Sequence, residues 1–285
     1  MMFVGATRFS LYQPNSDLWL ASNGAVISPD EYLAFLYDDA RMAPRCDIFL
    51  TCTLPMLALA AEGHDVRHVV SFSDNLPEVY RSQLLAAAER FDFVVLDEVP
   101  VGTQSLDLAQ FGRDFSRELG VEGQPYGQYR LDDDDVLACD FFDQMVPHII
   151  PEHVGWVVTL AKGVTAIYRD GKFYFAKEAI LPLHSKGHLA VVQWFGGDFI
   201  TPPTVPHNAS DRYTPVVLDS RRFSHLWVRS TIQDGALHQL GVDEHEQAVM
   251  IQNKLGRMPG VSQSVIDEIF PLLAGRLLVE RVPGL

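Results

Sequence analysis

Four consecutive aspartates, Asp132, Asp133, Asp134 and Asp135, are the residues whose type and spacing most suggest chemistry. Adjacent carboxylates repel one another unless water solvates them or a cation lies among them. Hard oxygen donors suit Mg²⁺ or Mn²⁺, which keep several waters and commonly take further ligands from phosphates. The run therefore reads either as a solvated acidic turn or as one side of a cation site that faces a phosphorylated ligand. A strand predicted at 128–131, directly before it, keeps the second reading open. Alternate residues leaving a strand point the same way, so Asp132 and Asp134 are expected to face one ligand together.

Such a run needs a scaffold with an open end. Strands are predicted at 7–12, 68–72, 91–96 and 128–131, and helices at 30–37, 76–90 (opened by Leu76-Pro77-Glu78) and 106–119. The stretch 47–62 is apolar at helical spacing, but Pro55 must kink or restart it, and Gly63 stops it. Strand and helix alternate through this half, which predicts a largely parallel sheet with covering helices. Ligands of such sheets bind at the carboxyl ends of the strands. After about residue 150 the pattern changes to short strands at 156–160, 164–168 and 172–176. The last two are joined by Asp170-Gly171, a strong hairpin signal. Residues 199–213 read as loop, followed by a strand at 225–229 and helices at 244–255 and 261–273.

The chain has 285 residues, 47% of them hydrophobic, enough for a sizeable core without disulfides or structural metal. Its formal charge of −15 comes without a compensating basic cluster in the sequence and argues against nucleic acid as a partner. By the same reasoning, a phosphorylated ligand is expected to bind through a divalent cation. Three cysteines, Cys46, Cys52 and Cys139, form no Cys-x-x-Cys pair and fit a reducing compartment. No signal peptide is visible at 1–7, and the longest apolar stretch, 48–61, is too short and too interrupted to span a bilayer. A cytoplasmic protein with no transmembrane segment is expected. A Walker-type phosphate loop, a dinucleotide glycine fingerprint and a Gly-x-Ser-x-Gly elbow are all missing from the sequence.

The string 129–137, Tyr-Arg-Leu-Asp-Asp-Asp-Asp-Val-Leu, followed by Asp140-Phe141-Phe142, resembles the rhamnosyltransferase family of bacterial GT-A-type glycosyltransferases. Arg8-Phe9-Ser10, the segment from Arg45 to Pro55, and the segment from Phe72 to Tyr80, with Ser-Asp-x-Leu-Pro-x-x-Tyr at 73–80, are similar too. The resemblance covers about the first 165 residues, and more loosely the chain from His207 onward. It implies a GT-A-like α/β fold, with a largely parallel central sheet, flanking helices and an antiparallel, hairpin-containing C-terminal part. One glycosyltransferase-like domain over 1–285 is expected, with a nucleotide-sugar-binding half at 1–150 and an acceptor half at 151–285.

Carried over residue by residue, the resemblance implies that Asp132 approaches the ribose and the metal. Asp134 ligates a cation that bridges two phosphates, with Asp133 or Asp135 in support. Arg130, Ser73 and Asp74 join the donor-binding set, the last two near the base. The expected activity is metal-assisted transfer of a sugar from a nucleotide-sugar donor to a saccharide or glycoconjugate acceptor, with Mg²⁺ or Mn²⁺. Glycosyltransferases of this kind usually supply a late His or carboxylate to the metal or acceptor. Here the Trp227 strand is followed by Ser-Thr-Ile-Gln-Asp-Gly without a His, which leaves His207, Asp234 and His238 as candidates. Inversion needs a carboxylate base near the acceptor hydroxyl, for which Asp198 and Asp211 are the candidates, and His207 can serve the metal or the chemistry.

Two other functions compete. Nucleotidyl transfer on a similar sheet predicts a glycine loop after the first strand; 13–16 is a poor one, though Gly24 leaves room. A binding protein of the same fold that has lost catalysis is the other. His64-Asp65-Val66-Arg67-His68 has metalloprotease-like spacing, but Gly63 and the β-branched run after it predict a strand there. Asp243-Glu244-His245-Glu246 reads as an ordinary acidic helix start.

Overall fold

Residues 2–6, Met-Phe-Val-Gly-Ala, are apolar without alternation, and such a run makes a strand covered on both faces. In the computed structural model, which describes residues 1–14, 28–230 and 243–284, they form strand β1, Met2–Arg8. The strand expected at 7–12 is therefore displaced toward the N-terminus. It ends because Ser10 takes a positive φ of 44°, which breaks the ladder.

Three further parallel strands follow: β2 (Asp65–Ser73), β3 (Val94–Val99) and β4 (Tyr126–Arg130). Helices α4 (Glu78–Arg90) and α5 (Leu108–Glu118) connect them. Before β2 come α1 (Pro29–Leu36), closed at its start by a Ser28–Glu31 capping box, α2 (Asp39–Ile48) and α3 (Leu54–Ala60). A wide π turn, Phe49–Thr53, separates α2 from α3, and Pro55 sits in the first turn of the new helix. The proline has no N–H to give, so the helix re-registers there.

The span Asp39–Ala60 is long and apolar enough to cross a membrane by composition, yet it is packed inside the fold. Met42, Phe49, Leu54 and Leu57 face one core, while Ile48, Cys52 and Met56 face a second. A helix wedged between two cores carries apolar residues on two faces for that reason, while Arg41 and Arg45 put charge on α2.

The second half of the chain completes the first sheet. Strands β6 (Val157–Leu160), β9 (Leu189–Phe195) and β11 (Val216–Asp219) extend it in the order β11-β6-β9-β4-β1-β2-β3. Every neighbouring pair along that path is parallel except the two that include β9. Short β10 (Asp198–Ile200) folds back on β9. Strand β9 lies where the sequence pattern predicts no element, and β10 lies at the edge of the predicted loop at 199–213.

A second sheet has the order β5-β12-β7-β8. It joins β5 (Val136–Leu137), directly after the aspartates, to β7 (Lys162–Arg169), β8 (Lys172–Ile180) and β12 (His225–Arg229). Strands β7 and β8 form the hairpin that Asp170-Gly171 predicts, with φ of 51° and 77° at the turn. Helix α6 (Phe141–Met145) packs on the first core, and α8 (Gln263–Ile269) covers the second. Helix α7 (Glu244–Leu255) lies against the β7–β8 hairpin.

Candidate active site

A cavity of about 360 Å³ opens at the carboxyl ends of β1 and β4, with Arg8 and Arg130 as their last residues. Its position follows from the polar chain inside the sheet. Tyr129 donates from its hydroxyl to His68 Nδ1 at 3.0 Å, His68 Nε2 donates to Thr7 Oγ1 at 2.9 Å, and Thr7 donates to the Leu131 carbonyl at 2.7 Å. A carbonyl can only accept, so each proton in this chain has one place. Burial lowers His68 to about 3, which keeps it neutral. The metalloprotease-like spacing around it thus serves a strand interior.

The fixed Leu131 carbonyl sets the start of the aspartate run. The run is a turn rather than an extended exit, closed by the Asp135 N–H on the Asp132 carbonyl at 3.3 Å. Side-chain exposure is 42% for Asp132 and 14% for Asp134, against 4% for Asp133 and 3% for Asp135. Asp133 accepts from the Ser10 backbone N–H and from the guanidinium of Arg45 on α2. Arg45 also reaches Asp134 at 3.3 Å. Asp132 accepts from Arg130 and, at 2.9 Å, from the Ser185 hydroxyl. Burial works against its charge, but Arg130, Ser185 and Lys186 outweigh that and hold its carboxyl below the usual range. Asp135 goes the other way: burial raises it, Lys186 opposes, and Asp134 and Asp132 add to the rise.

The pocket also holds basic side chains that the net charge does not reveal. Arg8, Arg41, Arg45, Arg130 and Lys186 all line it beside the four aspartates. A chain of −15 thus concentrates basic side chains in one cleft. Arg41 and Arg45 were legible only as an i, i+4 arginine pair on an apolar helix, a spacing that puts both on one face. Ser185 and Lys186 lie in a segment that carried no recognised motif.

His207 also lines the pocket, at the start of a 3₁₀ turn, His207–Arg212. Burial and the nearby Arg130 lower it, with Asp132 opposing. Asp211 lies in the same turn but is exposed and is not among the lining residues. Asp198 is exposed in β10, paired with Phe195. Strand β9 runs antiparallel to β4, so that hairpin sits at the amino end of β4, at the far end of the strand from Asp132.

Ser73 and Asp74 stay outside the cavity as well. Ser73 is buried and accepts the Tyr12 N–H at 2.8 Å, while Asp74 accepts that of Val101 at 3.2 Å. A neighbouring hollow of about 240 Å³, lined by Ser71, Ser105, Leu106 and Leu108, shares Arg8, Arg130 and Asp132 with the main pocket. Asp234, His238 and Gly24 lie outside the described residues.

The sequence family described as "Putative rhamnosyl transferase" matches residues 2–177, more than half of the chain. The chain belongs to this family. It is a glycosyltransferase by that membership. The matched region holds the aspartate run and its arginines, whereas Ser185, Lys186, His207 and Trp227 lie beyond it. No curated protein matches the sequence. Among solved structures, S. aureus TarS is similar at 12% identity and a TM-score of 0.31, over 90% of this chain and 43% of its own. The chain thus spans less than half the length of that protein. The inositol-1-phosphate CTP transferase from T. maritima is similar at 11% identity and a TM-score of 0.29, over 85% of this chain and 97% of its own.

Proposed function

We propose that the chain transfers a sugar from a nucleotide-sugar donor to a hydroxyl of a saccharide or glycoconjugate acceptor, in the pocket around Asp132. The observation that carries this reading is one juxtaposition. Two carboxylates that face the cleft, Asp132 and Asp134, stand among fixed cations at the carboxyl ends of parallel strands. The sheet order, parallel except at β9, supports the GT-A form of the fold.

In the transfer, the bond between the anomeric carbon and the diphosphate oxygen breaks, and its electron pair leaves with the diphosphate. The acceptor oxygen bonds to that carbon and gives up its proton. His207, lowered toward its neutral form on the pocket wall, is the base that takes it. The hollow at Ser71 and Leu106 is the place for the nucleoside, since it opens beside the residues that would hold the phosphates.

No three His, Cys, Asp or Glu side chains gather into a metal cage among the described residues. The donor set instead fits a cation shared with its substrate. Asp132 and Asp134 would hold Mg²⁺ or Mn²⁺ from one side, leaving the other ligands to phosphate oxygens and water. When bound, such a cation stabilises the charge that builds on the departing diphosphate.

A thermal-shift panel of nucleoside diphosphates, with and without Mn²⁺, tests the reading. Stabilisation by at least one of them is expected, with release of that diphosphate from the matching nucleotide sugar. A panel with no stabilising member and no donor turnover would overturn the proposal.

A further inference from the structure

The segment 184–188, beyond the family-matched region, is built with unusual rigidity beside the aspartates. His184 Nδ1 accepts the Lys186 backbone N–H at 3.0 Å, so its Nε2 carries the proton and donates to the Leu160 carbonyl at 2.9 Å. Gly187 donates its N–H to the Arg130 carbonyl at 3.0 Å, and the Arg130 N–H returns to the His188 carbonyl at 3.2 Å. Gly187 has a φ of 67°, and a Cβ there would come within 2.5 Å of the Phe141 ring, so glycine alone fits. The Lys186 backbone is thereby pinned on both sides.

Its side chain is 9% exposed and lines the pocket. The ammonium lies 3.6 Å from Asp135 Oδ2 and 4.9 Å from the centre of the Trp227 ring. A charge-assisted N–H···O⁻ bond closes to about 2.7–2.9 Å, so Lys186 is held near Asp135 without being spent on it. Asp135 Oδ1, buried, has no hydrogen-bond partner, which again marks the pair as loosely closed. An almost buried cation, aimed into a polar cleft on a fixed backbone, is organised for an anion.

We propose that Lys186 is the fixed cation that anchors the diphosphate of the nucleotide donor, presented by the preformed 184–188 segment. This rests on the sugar-transfer reading above and adds a residue from outside the family-matched region to its donor site. Lys186 is next to Asp135, and Arg45 holds Asp133 and Asp134, so the diphosphate would meet fixed charge along the aspartate turn from two segments of the chain. The assignment also explains why Ser185, next in the chain, is tied to Asp132. One short segment then sets both the carboxylate and the ammonium.

Calorimetric titration of the full chain with UDP, GDP, dTDP and CDP, and with the matching nucleosides, is the test. It is run in EDTA and again in Mn²⁺. The variants are Lys186→Met, Lys186→Arg and the double Lys186→Met/Asp135→Asn, the last removing both charges so that no carboxylate is left buried against a missing partner. The neutral variants are expected to lose about tenfold or more in affinity for the diphosphate. They should keep the nucleoside affinity, and Lys186→Arg should recover part of the loss. The loss must appear in EDTA, which separates the lysine from the metal. Unchanged diphosphate affinity in the double variant overturns the proposal, as does an equal fall for diphosphate and nucleoside, which would mean a collapsed pocket. A wild type that binds none of the four diphosphates overturns the donor reading itself and the anchor with it.

Discussion

Arg45 on α2 closes its guanidinium on Asp133 in the turn after β4, with 8% and 4% of the two side chains exposed. The contact spans 88 residues of sequence and ties the helix wedged between the two cores to the pocket wall. Breaking a buried pair from one side leaves an uncompensated charge. Arg45→Met is therefore expected to destabilise the fold by about 3–5 kcal/mol in urea unfolding. Arg45→Met/Asp133→Leu should lose less than the single variant. A single variant that unfolds at the wild-type midpoint would show that the pair contributes nothing.

Gly5 supports the site from the sheet interior. A Cβ there would lie 2.3 Å from His68 Nδ1 and 2.3 Å from Tyr129 Cζ, both on buried rings held by the hydrogen-bond chain to Leu131. Neither ring can retreat without breaking that chain. Gly5→Ala should cost roughly 1–3 kcal/mol or more through overpacking. Gly260→Ala, where a Cβ meets nothing within 4 Å, should stay within about 0.5 kcal/mol. Equal thermal midpoints for the two variants would refute the role given to Gly5.

Much of the parallel half was legible because strand and helix alternate and because Gly63 marks the turn before β2, and the antiparallel β7–β8 hairpin was legible from Asp170-Gly171. β1 was misplaced because a strand covered on both faces has no alternation to read, and period-2 patterning then draws the eye to 7–12. The aspartate run was legible as chemistry, but its shape was not. That Asp133 and Asp135 turn inward depends on Arg45 and Lys186, which arrive from residues far away in sequence. Asp198 shows the same limit. Its place at the far end of the sheet follows from the direction of β9, which local sequence does not encode. Ser185 and Lys186 left no signal because each is a single polar residue, in a segment whose form is set by hydrogen bonds to β4.

Acid should weaken the fold through its buried imidazoles. Burial lowers His184 and His188 from the ordinary 6.5 to about 4. Below pH 6.5 the unfolded chain takes up protons that the folded one refuses, so stability rises with pH in this window and is lost as pH falls from 6.5 toward 4. Each imidazole then accounts for on the order of 3 kcal/mol by about pH 4. Thermal scans at pH 7, 6, 5 and 4 should show a steep decline in the midpoint. A level profile would mean that these rings are not held neutral by the fold.

The last expectation separates the pocket residues from the carboxylates outside it. Asp134→Asn removes a cleft-facing charge and should weaken diphosphate binding more in Mn²⁺ than in EDTA, because the loss concerns the bridging cation. In the wild type EDTA should weaken binding without abolishing it, since five fixed cations line the same cleft. His207→Ala should lower donor turnover by about 10²- to 10⁴-fold, with the thermal midpoint nearly unchanged for a half-buried turn residue. Asp198→Ala should turn over like the wild type, because β9 carries Asp198 to the amino end of β4. The readout is nucleoside diphosphate released from the nucleotide sugar that stabilises the chain best. Loss of turnover in the Asp198 variant, with full turnover in the His207 variant, would place the reacting hydroxyl at the other end of the sheet and remove the aspartate pocket from the chemistry.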